Sequence, residues 1–162
     1  DLRAAERTYQ LVRQVSGRAG RTDNKGRALI QTYQPEHPVV EAIIKGNDND
    51  FWVSEAKQRK LACMPPFGKL VGIIISSTNL DNVMMLANQL KKNTHPLNIL
   101  GARVYGPAPA PVARIKGRHR IRFLVKSPKI SGLQDAIRNW VSTVSLKGDI
   151  RLSIDIDPQS FY

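Results

Sequence analysis

Arg118-His119-Arg120-Ile121-Arg122-Phe123-Leu124-Val125-Lys126 alternates over its whole length: Ile121, Phe123 and Val125 fall on one side, Arg118, Arg120, Arg122 and Lys126 on the other. Successive side chains of a strand point to opposite faces, so a period of two predicts a strand with one buried and one charged face. Upstream, residues 69–77 (KLVGIIISS) are β-branched and apolar, which suits a buried strand better than a helix of two turns. Asn79 or Asp81 then caps a stretch with Val83, Leu86, Ala87 and Leu90 at helical spacing, ending near Lys91-Lys92-Asn93. Residues 102–105 form a short strand. Downstream, Ser131 or Asp135 starts a second helix with Leu133, Ile137, Trp140, Val141 and Val144 on one side. Residues 149–155 close as a strand with Ile150, Leu152 and Ile154 turned inward.

Strand, helix, strand, strand, helix, strand is the ferredoxin-like, split βαβ order. It predicts an α+β domain with an antiparallel four-stranded sheet and two helices on one face. The other face stays open, and because this fold hosts many functions the open face must be read for chemistry. Between the two middle strands, Gly106-Pro107-Ala108-Pro109-Ala110-Pro111 puts three prolines at alternate positions, which predicts a stiff, extended loop short of backbone donors. It delivers Arg114, Lys116, Arg118, Arg120 and Arg122, five cations in nine residues with no acid among them. Successive arginines on one strand face lie about 6.6 Å apart, so each can reach a different phosphate. A solvated outer face is the alternative; the lack of any acid favours polyanion contact.

The 162 residues carry 25 Lys and Arg against 13 Asp and Glu, and 25 − 13 gives a net charge of +12. With 41% apolar residues there is material for one packed core of ordinary size, and general disorder is excluded. Residues 1–50 hold 8 basic and 7 acidic side chains, whereas residues 51–162 hold 17 and 6, so the partner-facing charge lies in the second part. Asn47-Asp48-Asn49-Asp50 is a polar junction, residues 51–64 read as a connecting helix, and Met64-Pro65-Pro66-Phe67-Gly68 forbids its continuation. The chain is thus organised as residues 1–50, a connector over 51–67, and a basic domain over 68–162. No apolar run approaches the roughly 20 residues of a membrane span. The chain opens on Asp1 without a basic-then-apolar leader, which makes a cytoplasmic location the expectation. Cys63 is the single cysteine and can form neither an intramolecular disulfide nor a zinc site alone. His37, His95 and His119 are scattered and read as surface or turn residues, so no metal is expected. Trp52 and Trp140 read as packing residues, and Asp155 and Asp157 as a solvated turn.

At the N-terminal end, residues 2–15 form a helical stretch with Ala5, Tyr9, Val12 and Val15 on one side. Residues 27–33 (RALIQTY) read as a strand, and residues 38–45 as a helix opening on a proline. Between them, Gln14, Gly17, Arg18, Gly20 and Arg21 make Gln-x-x-Gly-Arg-x-Gly-Arg. Glycines let backbone approach a nucleotide, and guanidinium groups neutralise charge on a transferring phosphoryl group. A generic basic, glycine-containing loop has the same spacing. With its flanks, however, the motif resembles the sixth helicase motif of superfamily 2, near the end of the second RecA-like lobe. Ile30-Gln31-Thr32-Tyr33-Gln34-Pro35-Glu36-His37-Pro38, Met64-Pro65-Pro66-Phe67-Gly68, the proline run with Gly117-Arg118-His119-Arg120, and Asp155-Ile156-Asp157-Pro158-Gln159-Ser160-Phe161 narrow the resemblance. Together they resemble the primosomal replication-restart helicase family, primosomal protein N′, over essentially the whole chain.

The resemblance implies that residues 1–50 are the tail of a RecA-like lobe in a longer ATP-dependent 3′ to 5′ DNA helicase. That protein recognises stalled or collapsed forks and initiates primosome assembly. Arg18 and Arg21 would be arginine fingers at the γ-phosphate, with Gln14 bridging nucleotide and lobe, and Gly17 and Gly20 beside the nucleotide. ATP and Mg2+ would be bound by the longer protein, since this chain has no Gly-x-x-x-x-Gly-Lys-Ser/Thr loop and no Asp-Glu pair. Zinc ligands would likewise lie outside it, and the fragment alone is expected to be inactive. The C-terminal module would contact forked or branched DNA through Arg114, Lys116, Arg118, Arg120 and Arg122. His119 stands where the family more often has an aromatic residue, although a histidine can also stack on a base. Single-stranded-DNA-binding protein would engage Lys129 and Gln134 at the start of the last helix; a simply capped helix fits those residues as well. Other primosome proteins would be further partners. The rival reading, a stand-alone non-enzymatic RNA-binding protein with the same fold, leaves Gln14 to Arg21 unexplained and expects aromatics where this sheet has arginines.

Overall fold

The computed structural model describes residues 3–19 and 27–160, and the chain divides into two compact units, Asp1–Gln58 and Arg59–Tyr162. In the first unit, helix α1 (Ala4–Ser16) and helix α2 (Pro38–Lys45) precede helix α3 (Asp48–Leu61), whose last residues enter the second. Pro38 takes the first turn of α2, the His37 Nδ1 accepts from the Val39 N–H at 3.2 Å, and Gly46 ends it with φ 68°. His37 is therefore a helix cap. The small core is Tyr9, Val39 and Phe51, with the Tyr9 and Phe51 rings stacked at 3.9 Å. The Tyr9 hydroxyl donates to Asp48, which also pairs with Arg13 at 3.1 Å. Burial, reinforced by Asp48, pushes the Tyr9 hydroxyl above the ordinary tyrosine pKa.

Two expectations for this region need correction. The connecting helix begins at Asp48, not Phe51, because Asn47 closes its first turn: its Oδ1 accepts from the Asp50 N–H at 3.3 Å and its Nδ2 donates to Asp50 Oδ2 at 2.8 Å. The polar junction is a helix start. Residues 27–33 form no strand; Leu29 is 98% exposed and no strand among the described residues pairs with the segment. An apolar, extended sequence becomes a strand only where a neighbour supplies its ladder.

The second unit holds strand β1 (Gly68–Ser77), helix α4 (Leu80–Lys92), helix α5 (His95–Ile99), strand β2 (Arg103–Ile115), strand β3 (Arg118–Pro128), helix α6 (Leu133–Ser142) and strand β4 (Arg151–Ile156). The strands form one antiparallel sheet in the order β2-β3-β1-β4, the ferredoxin-like arrangement. Alternation decides which face is covered: Val71, Ile73 and Ile75 of β1 and Ile121, Phe123 and Val125 of β3 pack under Val83, Leu86, Ala87 and Leu90 of α4 and Leu133, Ile137 and Trp140 of α6. Trp140 meets Phe123 edge-on at 5.6 Å and donates from Nε1 to the Leu90 carbonyl at 2.9 Å, so its one polar atom is satisfied in the core. Asn79 caps α4, its Oδ1 accepting from Asp81 and Asn82 N–H groups. Neither Ser131 nor Asp135 caps α6; Gly132, at φ 82°, precedes it without a side-chain cap. The short helix α5, which the sequence pattern did not predict, buries Leu97 after Pro96. Strand β4 starts two residues later than predicted. Its inward residues Ile154 and Ile156 stay 41% and 43% exposed because β4 is an edge.

The largest correction concerns β2. The proline run is not a loop: β2 continues through it to Ile115, pairing with β3. An edge strand needs ladder donors on one side only, so prolines that would break a central strand are tolerated here. Two register shifts, between Tyr105 and Ala108 and between Pro109 and Arg114, absorb the remaining mismatch. Gly106 sits at the first shift with φ 110°, and a Cβ there would lie 2.7 Å from the Arg122 carbonyl oxygen. The true connection is Lys116-Gly117, both at positive φ (48° and 77°), the geometry of a tight hairpin turn.

Candidate nucleic-acid interface

Alternation from the covered face places Arg103 and Tyr105 of β2, Arg120, Arg122, Leu124 and Lys126 of β3, Leu70, Gly72, Ile74 and Ser76 of β1, and Arg151, Ser153 and Asp155 of β4 on the opposite face. Register aligns them in rows across the sheet: Arg103, Lys126 and Leu70; Tyr105, Leu124, Gly72 and Asp155; Ala108, Arg122, Ile74 and Ser153. A small cavity of about 60 Å³ opens here between Arg122, Leu124, Gly72, Ile74 and Pro158. This face is not wholly bare. After β4 the chain turns at Asp157, whose carboxylate accepts from the Leu70 N–H at 3.0 Å and pairs with Lys69 at 2.5 Å, and Pro158 is buried beside Gly72. Asp157 is therefore a clasp between β1 and the C-terminal segment, not a solvated turn residue.

The five hairpin cations differ in what they can do. Arg114 and Lys116 stand exposed at the hairpin end. Arg120 is half-buried, and its Nη1 donates to the Val112 carbonyl at 3.2 Å, bracing the irregular stretch of β2 opposite it. Arg122 is half-buried on the open face. Arg118 is turned inward: its side chain is 17% exposed, Nη1 pairs with Asp149 Oδ2 at 3.1 Å, Nη2 donates to the Ser76 carbonyl at 3.0 Å and also to the Asp149 carbonyl. Asp149 also accepts from the Ser77 hydroxyl and, at 2.8 Å each, from the Thr78 N–H and hydroxyl. The Ser77 bond first, then those from Thr78 and the Arg118 charge, hold the Asp149 carboxyl well below the usual carboxylate range. The row of three equivalent arginines expected from alternation is thus corrected: Arg118 locks β3 to β1 and to the start of β4. His119 shares its register with Ser77 on the covered side, away from Arg120, so it does not join the cationic face.

A model of the primosomal protein N C-terminal domain matches residues 60–159, nearly the whole second unit. The chain belongs to the primosomal protein N C-terminal domain family. It is similar to the replication restart protein PriA of Rickettsia felis (36% identical over 162 residues, 100% of this chain and 24% of that protein). It is also similar to PriA of Synechocystis sp. (36% over 171 residues, 99% and 19%) and of Bacillus subtilis (29% over 161 residues, 98% and 20%). The chain spans about a quarter, or less, of the length of these curated relatives.

In this member of the primosomal protein N family, Lys129 and Gln134 are both exposed but do not share one site. Gln134 lines a groove of about 260 Å³ with Lys69, Val71, Ser131, Asp135 and Ile156; Lys129 lies outside it. In the first unit, Gln14, Gly17 and Arg18 are exposed at the end of α1. Gly20 and Arg21 lie outside the described residues. Cys63 is half-buried with its Sγ 3.8 Å from the Ser127 carbonyl, and no group of three His, Cys, Asp or Glu residues among the described residues could hold a metal. The described residues therefore offer no set of ligands for zinc. Among the described residues no helix is long and apolar enough to cross a membrane. Sequence reasoning passed over Arg103, Tyr105, Lys126 and Arg151 as interface residues. The alternation of 103–105 with the core-facing Val104 was the available signal, hidden by reading the following prolines as a loop.

Proposed function

We propose that this chain is the C-terminal part of a replication restart protein and contributes its DNA-contacting surface. The observation that carries the reading is the family match over residues 60–159 together with cations from three strands on one sheet face, where the acidic residue of the strands is Asp155. Arg114 and Lys116 at the hairpin end, with Arg103, Arg120, Arg122, Lys126 and Arg151 on the face, contact phosphates, which position DNA without reading sequence. Arg118 serves by holding the hairpin in place. The partner is forked or branched DNA. Single-stranded-DNA-binding protein at the Gln134 groove and at Lys129, which lies outside it, and other primosome proteins are further partners, in a cytoplasmic setting.

For the longer protein we propose ATP-dependent 3′ to 5′ helicase activity, with Arg18 and Arg21 at the γ-phosphate and Gln14, Gly17 and Gly20 beside the nucleotide. ATP and Mg2+, and zinc, are held by residues outside this chain. An arginine finger contributes about 10³ to 10⁵ in rate, so Arg18→Ala in the longer protein abolishes DNA-stimulated hydrolysis while leaving DNA binding intact. The 162-residue chain alone hydrolyses no ATP.

The deciding experiment is anisotropy binding of the whole chain to a forked oligonucleotide against salt. Seven phosphate contacts on single-stranded arms give a slope of about −5 in log K against log salt. Charge reversal at Arg114 and Lys116, which have no fold-holding partner among the described residues, lowers affinity steeply and flattens that slope. Unchanged affinity refutes the reading.

A further inference from the structure

Resting on the reading of the open sheet face as a DNA surface, we propose that this face binds single-stranded DNA by stacking an unpaired base on the ring of Tyr105. The four strands contain two aromatic residues. Phe123 is buried against Trp140, whereas Tyr105 faces the other way and is 47% exposed. Its neighbours Val104 and Leu124 explain the placement. Val104 packs into the core, and Tyr105, next in sequence, must point to the opposite side, directly across from Leu124. The Tyr105 hydroxyl has no hydrogen-bond partner among the described residues, and the ring, opposite Leu124, is left half-exposed on this face.

The surroundings select the ligand. Leu124 and Gly72 continue the Tyr105 row across β3 and β1, a low apolar floor beside the ring. Arg103 and Lys126 form the row on one side, and Arg122 belongs to the row on the other, so cations flank the aromatic ring along the sheet. An aromatic ring between cations is the platform that single strands use: the base stacks, the adjoining phosphates meet the cations, and every base has a π-face to offer. A base inside a duplex has both faces already covered by its neighbours and cannot stack here. The carboxylate in this row, Asp155, lies at the far side on β4, and Asp157 is occupied by Lys69 and the Leu70 N–H, so the strand runs over the β2–β3 side. By register Arg114 lies opposite His119, on the covered side, so the phosphate path beside the ring is Arg103, Lys126 and Arg122.

The test uses the whole chain with a fluorescein-labelled single strand, a duplex of equal length, a single-stranded RNA of equal length, and a single strand carrying 2-aminopurine as a stacking reporter. Tyr105→Leu removes the ring but keeps an apolar side chain on the strand; Tyr105→Phe keeps the ring. The expected result is a loss of about five- to a hundredfold in single-strand affinity for Tyr105→Leu. Duplex affinity is unchanged, Tyr105→Phe behaves as the wild type, and the 2-aminopurine signal is lost only in Tyr105→Leu. Wild-type single-strand affinity in Tyr105→Leu, or equal weakening for single strand and duplex, overturns the stacking proposal while leaving the phosphate reading standing. Tighter binding of RNA than DNA overturns the choice of ligand. Wild-type protein that binds neither form of DNA overturns both readings together.

Discussion

Arg118 and Arg120 sit two residues apart on one strand, and their chemistry differs because of what lies opposite each. Arg120 braces a β2 carbonyl at the edge of the sheet, while Arg118 meets Asp149, thirty-one residues away in sequence, and the Ser76 carbonyl. The Asp149 carboxylate gathers hydrogen bonds from Ser77, Thr78 and Arg118, all of which favour its charged form. Its folded pKa is depressed below the ordinary aspartate value of 3.8, so the stability it contributes is present above that value and is lost as pH falls toward the folded pKa. Asp149→Asn is therefore less stable than the wild type at neutral pH, and the deficit shrinks steadily as pH is lowered below 3.8. Urea midpoints for both proteins across a pH series check this; a deficit that stays constant into acid would mean the carboxylate charge is not what matters. Trp140→Phe tests a second single-atom contact. It removes the Nε1 bond to the Leu90 carbonyl and leaves that carbonyl and part of the indole volume without a partner, a loss of about 2 kcal/mol in unfolding free energy.

At the scale of elements, what the sequence made legible follows from where each element's information resides. Helices α4 and α6 and strand β3 carry their own periodicity, and of their predicted inward residues Val83, Leu86, Leu90, Leu133, Ile137, Trp140, Ile121 and Phe123 are buried, while Val141 and Val144, at and just past the end of α6, are half-buried. Strand β2 was misread because a proline's local meaning depends on whether its strand is central or at an edge, and edge position is a property of the whole sheet. The expected strand at residues 27–33 fails for the converse reason: its pattern is strand-like, but among the described residues no strand lies beside it to supply a ladder. Arg118 was assigned to DNA because alternation reports a face and not a long-range partner. The β2 assignment has its own test in two glycines of one ribbon. Gly117, at φ 77°, has open space around a Cβ, so Gly117→Ala costs only left-handed backbone strain, about 1–2 kcal/mol. Gly106→Ala adds to similar strain an overlap with the Arg122 carbonyl, a backbone atom that cannot swing aside without breaking the β2–β3 pairing. Gly106→Ala is thus the more destabilising of the two in urea titration, and equal costs would indicate that β2 does not run through the proline segment.

The whole molecule joins two units of very different internal support. The second unit closes a continuous core of fifteen buried side chains under a four-stranded sheet, whereas the first rests on Tyr9, Val39 and Phe51. Buried apolar area sets how much free energy resists opening, at about 25 cal/mol per Å². Local opening therefore requires far less free energy in the first unit. The charge follows the same division: residues 1–50 are nearly neutral, and the cationic excess lies in the part with the larger core. A rigid sheet holds Arg103, Tyr105 and Lys126 in fixed relation, which suits a surface that must meet phosphates and a base together. In hydrogen exchange of the intact 162-residue chain, amides of β1 and β3 should persist longest, and those of α1 and α2 should exchange by opening events well below the global unfolding free energy. Tyr9→Phe, which deletes the hydroxyl that donates to Asp48, should speed exchange in α1 and α3 without altering β1. If instead α1 is as protected as β1, the first unit draws support beyond its three-residue core. A change in β1 on Tyr9→Phe would show that the two units open as one.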